Sequence, residues 1–303
     1  MKVVLTGASG LLGPALAQSF RVDGHEVVRL VRRTPHAPDE ARWDPEAGRV
    51  DQAALDGAAL VVHLAGATPG DRPWTPAHAR AVMDSRVIGT TTIARAVAAA
   101  GVPTLLSSSG VGYYGNPGDQ ALDESAPPGP GYMALVARRW EESTAPAVDA
   151  GTRVVPMRTG VVVSAKGGAF GRRLLPIFRF GIGGRIGSGR QWFSWIALSD
   201  YVRAVRFLAD RADICGPVNV TSPNPLTNAE MTEAMGRVLH RPTVMHAPAF
   251  GVRWTLGDFG KDLLAGQRAV PGRLVAAGFE FSHPEFEAAL RAVLAEAHPR
   301  ATS

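Results

Sequence analysis

The residues whose types and spacing best suit ligand binding are three glycines near the amino terminus, in Gly7-Ala8-Ser9-Gly10-Leu11-Leu12-Gly13. Glycines at this spacing allow a tight turn, a close approach of the backbone to a pyrophosphate, and close packing of the following helix. Lys2–Thr6 is an apolar run of strand length, and Leu11–Arg21 repeats apolar residues at helical spacing. A glycine turn between a strand and a helix predicts a dinucleotide site built by Gly7, Ser9, Gly10, Leu11, Leu12 and Gly13.

Two arginines end the second predicted strand, in the sequence Val31-Arg32-Arg33. NAD-binding proteins place an acidic residue here, which hydrogen-bonds the ribose 2′-hydroxyl. A guanidinium instead pairs with the 2′-phosphate of NADP, which a carboxylate would repel. Arg32 and Arg33 therefore favour NADP(H) over NAD(H), and the alternative is that they merely flank the strand.

The elements that must position this turn alternate along the chain. Strands are predicted over Lys2–Thr6, Glu26–Val31, Ala58–Ala65, Pro103–Ser109, Arg153–Arg158 and Val218–Thr221, and helices over Leu11–Arg21, Pro76–Ala100, Tyr132–Val148 and Leu198–Asp210. This alternation predicts an α/β Rossmann fold with a doubly wound parallel sheet.

Two segments depart from this alternation. We expect a Rossmann domain over 1–225, with a cap-forming insertion near 164–195, and a small, mostly helical, substrate-capping region over 226–303. Ligands of such sheets bind outside the carboxyl ends of the strands, so both irregular segments are expected to cap that edge and form the substrate pocket.

Composition and charge narrow the class of protein. The 303-residue chain is 46% hydrophobic and 19% charged, which excludes a disordered or coiled-coil class. The net charge of +5 comes largely from scattered arginines, so no nucleic-acid partner is expected. The stretch Arg172–Arg190 is the exception, and it fits either an anionic small molecule or a solvated loop.

Cysteine and histidine usage excludes further classes. The single cysteine, Cys215, excludes a disulfide framework and a multi-cysteine zinc site, and the eight histidines lack metal-ligand spacing, so no metal is expected. The absence of a leader sequence and of any run of membrane-spanning length predicts a cytoplasmic protein without a membrane partner. The sequence leaves open whether the chain is a monomer or a homodimer.

Several motifs resemble the extended, atypical short-chain dehydrogenase/reductases of the sugar epimerase/dehydratase superfamily. They are the glycine turn, His63-Leu64-Ala65-Gly66, and Ser107-Ser108-Ser109 followed by Tyr113-Tyr114-Gly115. Asp84-Ser85-Arg86, Trp140-Glu141 and the segments 167–176, 181–196 and 266–281 narrow the resemblance to an epimerase-like, SDR39U1-like family that carries a conserved tail domain of the DUF1731 type. The resemblance spans nearly the whole chain.

This resemblance implies that NADP(H) is bound by the glycine turn, by Arg32, and by Leu64, Ala65, Gly66, Arg86 and Ser107. Arg86 would place a second cation near the phosphate oxygens.

The resemblance also implies a catalytic serine, for which Ser109 is suited, and a proton-exchanging tyrosine, for which Tyr132 stands in place. The family places a lysine four residues after that tyrosine, but this chain has Val136 there. A valine cannot stabilise a phenolate, so Tyr132 is either catalytic or a pocket wall.

The substrate pocket is expected to include residues from the interrupting segments and from the loop after Ser109: Trp74, Tyr113, Tyr114, Arg185, Gln191, Trp192 and Ser194. Tyr113 and Tyr114 are alternative proton donors, and aromatic packing against the substrate is favoured for both. The adjacent carboxylates Glu141 and Glu142 face different ways on one helix and are predicted to be solvated.

The leading hypothesis is an NADP(H)-dependent oxidoreductase of the epimerase family, acting on a small polar substrate whose oxygen Ser109 polarises. One alternative is a non-catalytic NADP(H)-binding redox sensor or regulatory protein. A nucleotide-sugar epimerase or dehydratase is a further alternative, and it depends most on the tyrosine that has lost its lysine.

Overall fold

The structure is a computed structural model that describes residues 1–70, 72–250, 260 and 264–297. The chain packs into two compact units. The first unit comprises Met1–Ser109, Val136–Met157 and Val202–Pro217, and the second comprises Gly110–Leu135, Arg158–Tyr201 and Val218–Ser303. These units partition the chain differently from the predicted division at residue 225, which remains a prediction. Within the predicted capping region, residues 251–259, 261–263 and 298–303 lie outside the described residues.

Sixteen strands form among the described residues, and we number them in chain order. They are β1 Lys2–Thr6, β2 Glu26–Val31, β3 Glu40–Asp44, β4 Arg49–Val50, β5 Ala58–His63, β6 Thr104–Gly110, β7 Ala121–Leu122, β8 Arg153–Thr159, β9 Val161–Val163, β10 Gly184–Ile186, β11 Trp192–Phe193, β12 Trp195–Ala197, β13 Val218–Val220, β14 Leu226–Thr227, β15 Met245–Ala247 and β16 Arg268–Ala269.

Nine α-helices form among the same residues. They are α1 Leu12–Val22, α2 Pro76–Ala100, α3 Tyr132–Glu142, α4 Ala145–Asp149, α5 Leu175–Arg179, α6 Leu198–Asp210, α7 Asn228–Leu239, α8 Gly272–Ala276 and α9 Phe286–Ala297. None of these helices is long and apolar enough to cross a membrane.

The first unit is built on a parallel sheet. Its strands follow the order β8-β6-β5-β1-β2-β3-β4, and among them β4 runs antiparallel to β3. Strand β1 pairs in parallel with β2 and with β5, and β5 pairs in parallel with β6. This arrangement confirms the predicted Rossmann-like α/β fold. The carboxyl ends of β1, β5 and β6 therefore meet at one edge of the sheet.

Helix α2 shows why its predicted bounds, Pro76–Ala100, agree with the structure. The Thr75 hydroxyl accepts a hydrogen bond from the His78 amide at 3.1 Å, and Gly101 ends the helix with a φ of 63°. These are the capping signals expected at the two helix ends. Its apolar face joins Val4, Val61 and Leu105 of the sheet in the core of the first unit.

The helix predicted over Tyr132–Val148 is interrupted, because it divides into α3 and α4. The Ser143 hydroxyl donates to the Arg139 carbonyl at 2.7 Å, and the Thr144 hydroxyl donates to the Glu141 carbonyl at 2.7 Å. Serine and threonine hydroxyls that bind nearby carbonyls compete with the helix ladder, and the following Pro146 lacks an amide hydrogen.

The second unit consists largely of short strand pairs around an aromatic core. Strands β9 and β12 pair in parallel, as do β10 and β15, whereas β11 and β14 pair antiparallel. Phe286 of α9 makes edge-to-face contacts with Phe170, Phe193 and Trp195 at centroid distances of 5.2 to 6.2 Å. Aromatic side chains thus hold together strands too short to be stable alone.

Candidate functional site

The glycine turn after β1 fits so closely to its neighbours that two of its glycines have no room for a side chain. A Cβ atom on Gly13 would lie 2.5 Å from the Ala8 Cα, and one on Gly7 would lie 2.8 Å from the Leu64 carbonyl carbon. Gly7 also adopts a φ of 69°, which favours glycine. At Gly10 the nearest atom would be 3.5 Å away. The turn therefore requires glycine at positions 7 and 13 for its own shape.

Helix α1 begins directly after this turn without a side-chain cap. Leu11 occupies the N-cap position, and the first turn of this fully described helix holds no acidic residue. The first amide groups of a helix have no partner within it, and the helix dipole favours negative charge there. The amino terminus of α1 thus has the properties of a phosphate-binding site.

A buried polar cluster supports the turn from β5. The Thr6 hydroxyl accepts hydrogen bonds from the Leu64 and Ala65 amides at 3.1 and 3.3 Å, and it lies 2.7 Å from His63 Nδ1. We assign the Thr6 hydroxyl as the donor to an unprotonated Nδ1. The ring proton of His63 then lies on Nε2, which donates to the Thr90 hydroxyl at 3.0 Å. Burial lowers the pKa of His63 to about 3, so the ring is neutral. His63 thereby links β1, β5 and α2.

The structure distinguishes the two arginines at the end of β2. Arg33 donates to both carboxylate oxygens of Glu40 at 2.7 and 2.8 Å, and this pairing lowers the pKa of Glu40 to about 2. Arg32 is exposed, and in the described part of the chain no hydrogen bond or ion pair engages its guanidinium. Of the two predicted residues, Arg32 is the one available to bind a 2′-phosphate.

Arg86 of α2 is a buried cation next to the segment that follows β5. Its Nη1 donates to the Ala67 and Val82 carbonyls at 2.8 and 3.0 Å, and its guanidinium lies 4.6 Å from the centroid of the Trp140 ring. Desolvation lowers the pKa of Arg86 to about 10, so the group stays positive at neutral pH. Its Nε and the Ser107 hydroxyl are buried without a hydrogen-bond partner among the described residues.

Ser109, at the end of β6, is paired with a carboxylate that the sequence analysis placed in solvent. Its hydroxyl donates to Glu141 Oε1 at 2.7 Å, and Ser109 is 5% exposed. The prediction that Glu141 is solvated is wrong, because α3 turns this half-buried carboxylate towards the strand end. Glu142 is exposed and contacts Arg139 at 3.2 Å. Val136, at the position where the family places its lysine, is 1% exposed.

Two predicted pocket residues of the second unit have buried, hydrogen-bonded hydroxyls. The Tyr114 hydroxyl donates to Asn219 Oδ1 at 2.7 Å and accepts from Arg158 Nη1 at 3.1 Å. Tyr114 is 2% exposed, and burial raises its pKa to about 12. Ser194, also buried, donates to the Gln267 carbonyl at 2.6 Å and accepts from the Ala269 amide. These hydroxyls join segments of the second unit that are distant in the chain, and the assignment of both residues to a pocket stays a prediction.

The remaining predicted residues lie nearer to the surface. Tyr132 is half-buried where α3 begins, and Trp74 packs edge-on against His78 at 5.6 Å. Trp192 Nε1 donates to Asp119 Oδ1 at 3.0 Å, and Gln191 Nε2 donates to the Ile186 carbonyl at 2.9 Å. The Arg158 guanidinium carbon lies 3.4 Å from the centroid of the Tyr113 ring. Arg185 is exposed. The assignment of these residues to a substrate pocket stays a prediction.

Fold and site together define a class of protein. The parallel sheet, the glycine turn and the uncapped α1 terminus characterise a Rossmann-type dinucleotide-binding fold. Residues 3–220 match the NAD dependent epimerase/dehydratase family, and residues 247–293 match the DUF1731 domain of unknown function. The chain belongs to this epimerase/dehydratase family, which confirms the resemblance drawn from its motifs.

Individual proteins show the same relationship. An epimerase family protein of Mycobacterium bovis is 46% identical over 282 residues, which cover 93% of each chain. The crystal structure of human epimerase family protein SDR39U1 (isoform 2) with NADPH is 32% identical, with a TM-score of 0.87 over 97% of this chain and 99% of that one. A nucleoside-diphosphate sugar epimerase from Corynebacterium glutamicum is 36% identical, with a TM-score of 0.79 over 96% of this chain and 57% of that one.

Proposed function

We propose that this protein binds NADP(H) and transfers a hydride between the cofactor and a small polar substrate. The observation that carries the cofactor assignment is the exposed Arg32 beside Arg33, which is already paired with Glu40. The relative of human origin whose structure contains NADPH supports the same cofactor.

The residues of the first unit fit such a cofactor. The amides of the glycine turn and of the α1 terminus would bind the pyrophosphate, and Arg32 would bind the 2′-phosphate. The buried Arg86 adds positive charge at the neighbouring end of β5, and the unpartnered Ser107 hydroxyl offers a hydrogen bond there. When bound, the nicotinamide supplies hydride chemistry.

The chemical step requires this chain to hold a proton at the substrate oxygen. Ser109 is the group that we assign to that oxygen, because it lies at the carboxyl edge of the sheet, where ligands of such folds bind. Tyr132 stands where the family has its proton-exchanging tyrosine, but Val136 replaces the lysine that normally activates it. The substrate is a small polar molecule of unassigned identity.

Replacement of Arg32 by alanine tests the cofactor assignment. The loss of charge-assisted hydrogen bonds to the 2′-phosphate should weaken NADPH binding by about 1–3 kcal/mol, roughly 5- to 150-fold, and leave NADH binding nearly unchanged. Fluorescence titration of the reduced cofactors measures both affinities. Arg33→Ala is the matched control, because the Arg33 guanidinium is bound to Glu40. Equal weakening of NADPH and NADH binding by Arg32→Ala would contradict the assignment.

A second candidate function is NADP(H) binding without turnover, as a redox sensor. The buried Val136 at the lysine position favours it, since the usual activation of a tyrosine is lost. A panel of aldehydes and ketones with NADPH, and of nucleoside-diphosphate sugars with NADP⁺, separates the candidates. Turnover of any panel member by the purified chain, lost in Ser109→Ala, supports the enzyme; tight NADPH binding with no turnover supports the sensor.

A further inference from the structure

The Ser109–Glu141 hydrogen bond has a fixed direction. An ionised carboxylate only accepts hydrogen bonds, so the proton between the Ser109 oxygen and Glu141 Oε1, 2.7 Å apart, comes from the serine. With its proton directed at Glu141, the serine hydroxyl keeps its lone pairs for another donor. Ser109 in this state is therefore suited to accept a hydrogen bond from a substrate alcohol.

The pair lies at the edge of the sheet that carries the glycine turn. His63 of β5 is in register with Ser107 of β6, so Ser109 follows that pair by two residues. The segment just past His63 approaches the turn, since a Cβ on Gly7 would lie 2.9 Å from the Ala65 amide nitrogen. Ser109 and the glycine turn thus stand on either side of the end of β5.

A second contact holds this part of α3 near the same edge. Trp140, which precedes Glu141, is 8% exposed and lies beneath the Arg86 guanidinium, which packs beside Gly66. Arg86 is also the buried cation on α2 next to this part of α3. The other charged groups nearby on α3 are Arg138, Arg139 and Glu142, which are exposed and pair with one another.

We propose that Glu141 accepts the substrate proton through Ser109 and so performs the task of the absent tyrosine–lysine pair. The inference rests on the proposed hydride transfer. As the carbon–hydrogen bond of a substrate alcohol breaks and its hydride passes to NADP⁺, the alcohol proton moves to the Ser109 oxygen. The Ser109 proton moves at the same time to the Glu141 carboxylate, and a carbonyl forms. Glu141 then releases its proton to water; in the reducing direction each transfer is reversed.

Glu141→Gln and Glu142→Gln form a matched pair of variants for the test. Both remove one carboxylate from neighbouring positions of α3, but only Glu141 binds Ser109. Urea unfolding and NADPH titration come first. Both variants should bind NADPH like the wild-type chain, and Glu141→Gln, whose amide oxygen still accepts from Ser109, should lose less stability than Ser109→Ala. Hydride transfer is then followed by nicotinamide absorbance, with the carbonyl and nucleoside-diphosphate sugar panel, between about pH 5 and about pH 9.

The expected result is a loss of about 10²- to 10⁴-fold in the transfer rate of Glu141→Gln, the contribution typical of a general acid–base group. The wild-type oxidation rate should fall on the acid side as the carboxylate is protonated, and Glu141→Gln should lose this acid limb. Glu142→Gln should keep both rate and profile. In a Ser109→Ala background, Glu141→Gln should cost little more, because the two residues act as one unit.

Other outcomes overturn the proposal, and they show whether the relay alone or the proposed function as well has failed. If Glu141→Gln keeps the wild-type rate and acid limb, the relay is wrong and the proposed function stands. If the wild-type chain binds NADPH but transfers hydride to no panel member, the proposed function fails and the relay falls with it. Should Glu141→Gln unfold, Glu141→Asp replaces it, and this shorter acid must retain the acid limb at a reduced rate; its loss would also reject the relay.

Discussion

The ends of β1 and β6 lie on either side of β5 in one sheet, yet they are built in opposite ways. At the end of β1 the candidate binding surface consists of backbone atoms, and it requires that Gly7 and Gly13 have no side chain. At the end of β6 the chemistry is carried by side chains, with Ser109 donating to a carboxylate from α3. The comparison separates cofactor binding, which the backbone supplies, from proton transfer, which requires particular side chains.

The largest effect that tests this comparison is expected at Gly13. A Gly13→Ala substitution forces a Cβ to 2.5 Å from the Ala8 Cα, so the turn must move. We expect destabilisation by about 3 kcal/mol and loss of NADPH binding by more than roughly 100-fold. Gly10→Ala is the control, since its nearest contact is 3.5 Å: it should unfold like the wild-type chain in urea. Equal stability of the two variants would show that the turn is not constrained by backbone contact.

His63 lies on β5, between the two strands, and its burial makes the stability of the fold sensitive to acid. Its pKa in the folded chain is about 3 because of burial, against an ordinary value near 6.5. The unfolded chain therefore binds the extra proton between these values, and stability present above about pH 6.5 is lost as the pH falls, by roughly 1.4 kcal/mol per pH unit.

Urea unfolding at about pH 8, 6 and 4 measures this loss in the wild-type chain, in His63→Gln, and in a variant of the exposed His36. His63→Gln should be less stable near pH 8 but should show a shallower decline. His36→Gln should keep the wild-type slope. A wild-type slope in His63→Gln would mean that other groups carry the acid sensitivity.

The smallest expected effects distinguish two serines of β6. Ser109→Ala removes a hydrogen bond to a carboxylate and should destabilise the chain by about 1.5 kcal/mol. Ser107→Ala removes a buried hydroxyl that has no partner among the described residues, so it should leave the stability unchanged or raise it by about 0.5 kcal/mol without cofactor. Urea unfolding of the cofactor-free chains measures both, and a larger loss for Ser107→Ala would reverse this assignment.

The same contrast explains how much the sequence predicts. The strands Lys2–Thr6 and Glu26–Val31 and the helices Pro76–Ala100 and Leu198–Asp210 have their predicted bounds, because local periodicity and capping specify them. The glycine turn is equally local. Strand β3, Glu40–Asp44, was not predicted, since its acidic ends do not resemble a buried strand and pairing with β2 decides its conformation.

Side-chain partners distant in the chain were harder to predict. Ser109 and Glu141 are 32 residues apart, and helical spacing does not say which face of α3 meets the sheet. Tyr114 and Asn219 are 105 residues apart, so the buried role of Tyr114 depends on a strand far along the chain. The sequence offers no local signal for the burial of Glu141, because adjacent helix positions such as Trp140 and Glu141 do not share a face.

The burial of Val136 also bears on the redesign of this chain. With 1% of its surface exposed, the site would have to enclose the ammonium group of a lysine, and an unpaired buried charge costs several kcal/mol. Val136→Lys alone is therefore expected to destabilise the fold. Rebuilding the tyrosine–lysine pair of the family in this chain would require space for the lysine around α3 as well as the lysine itself.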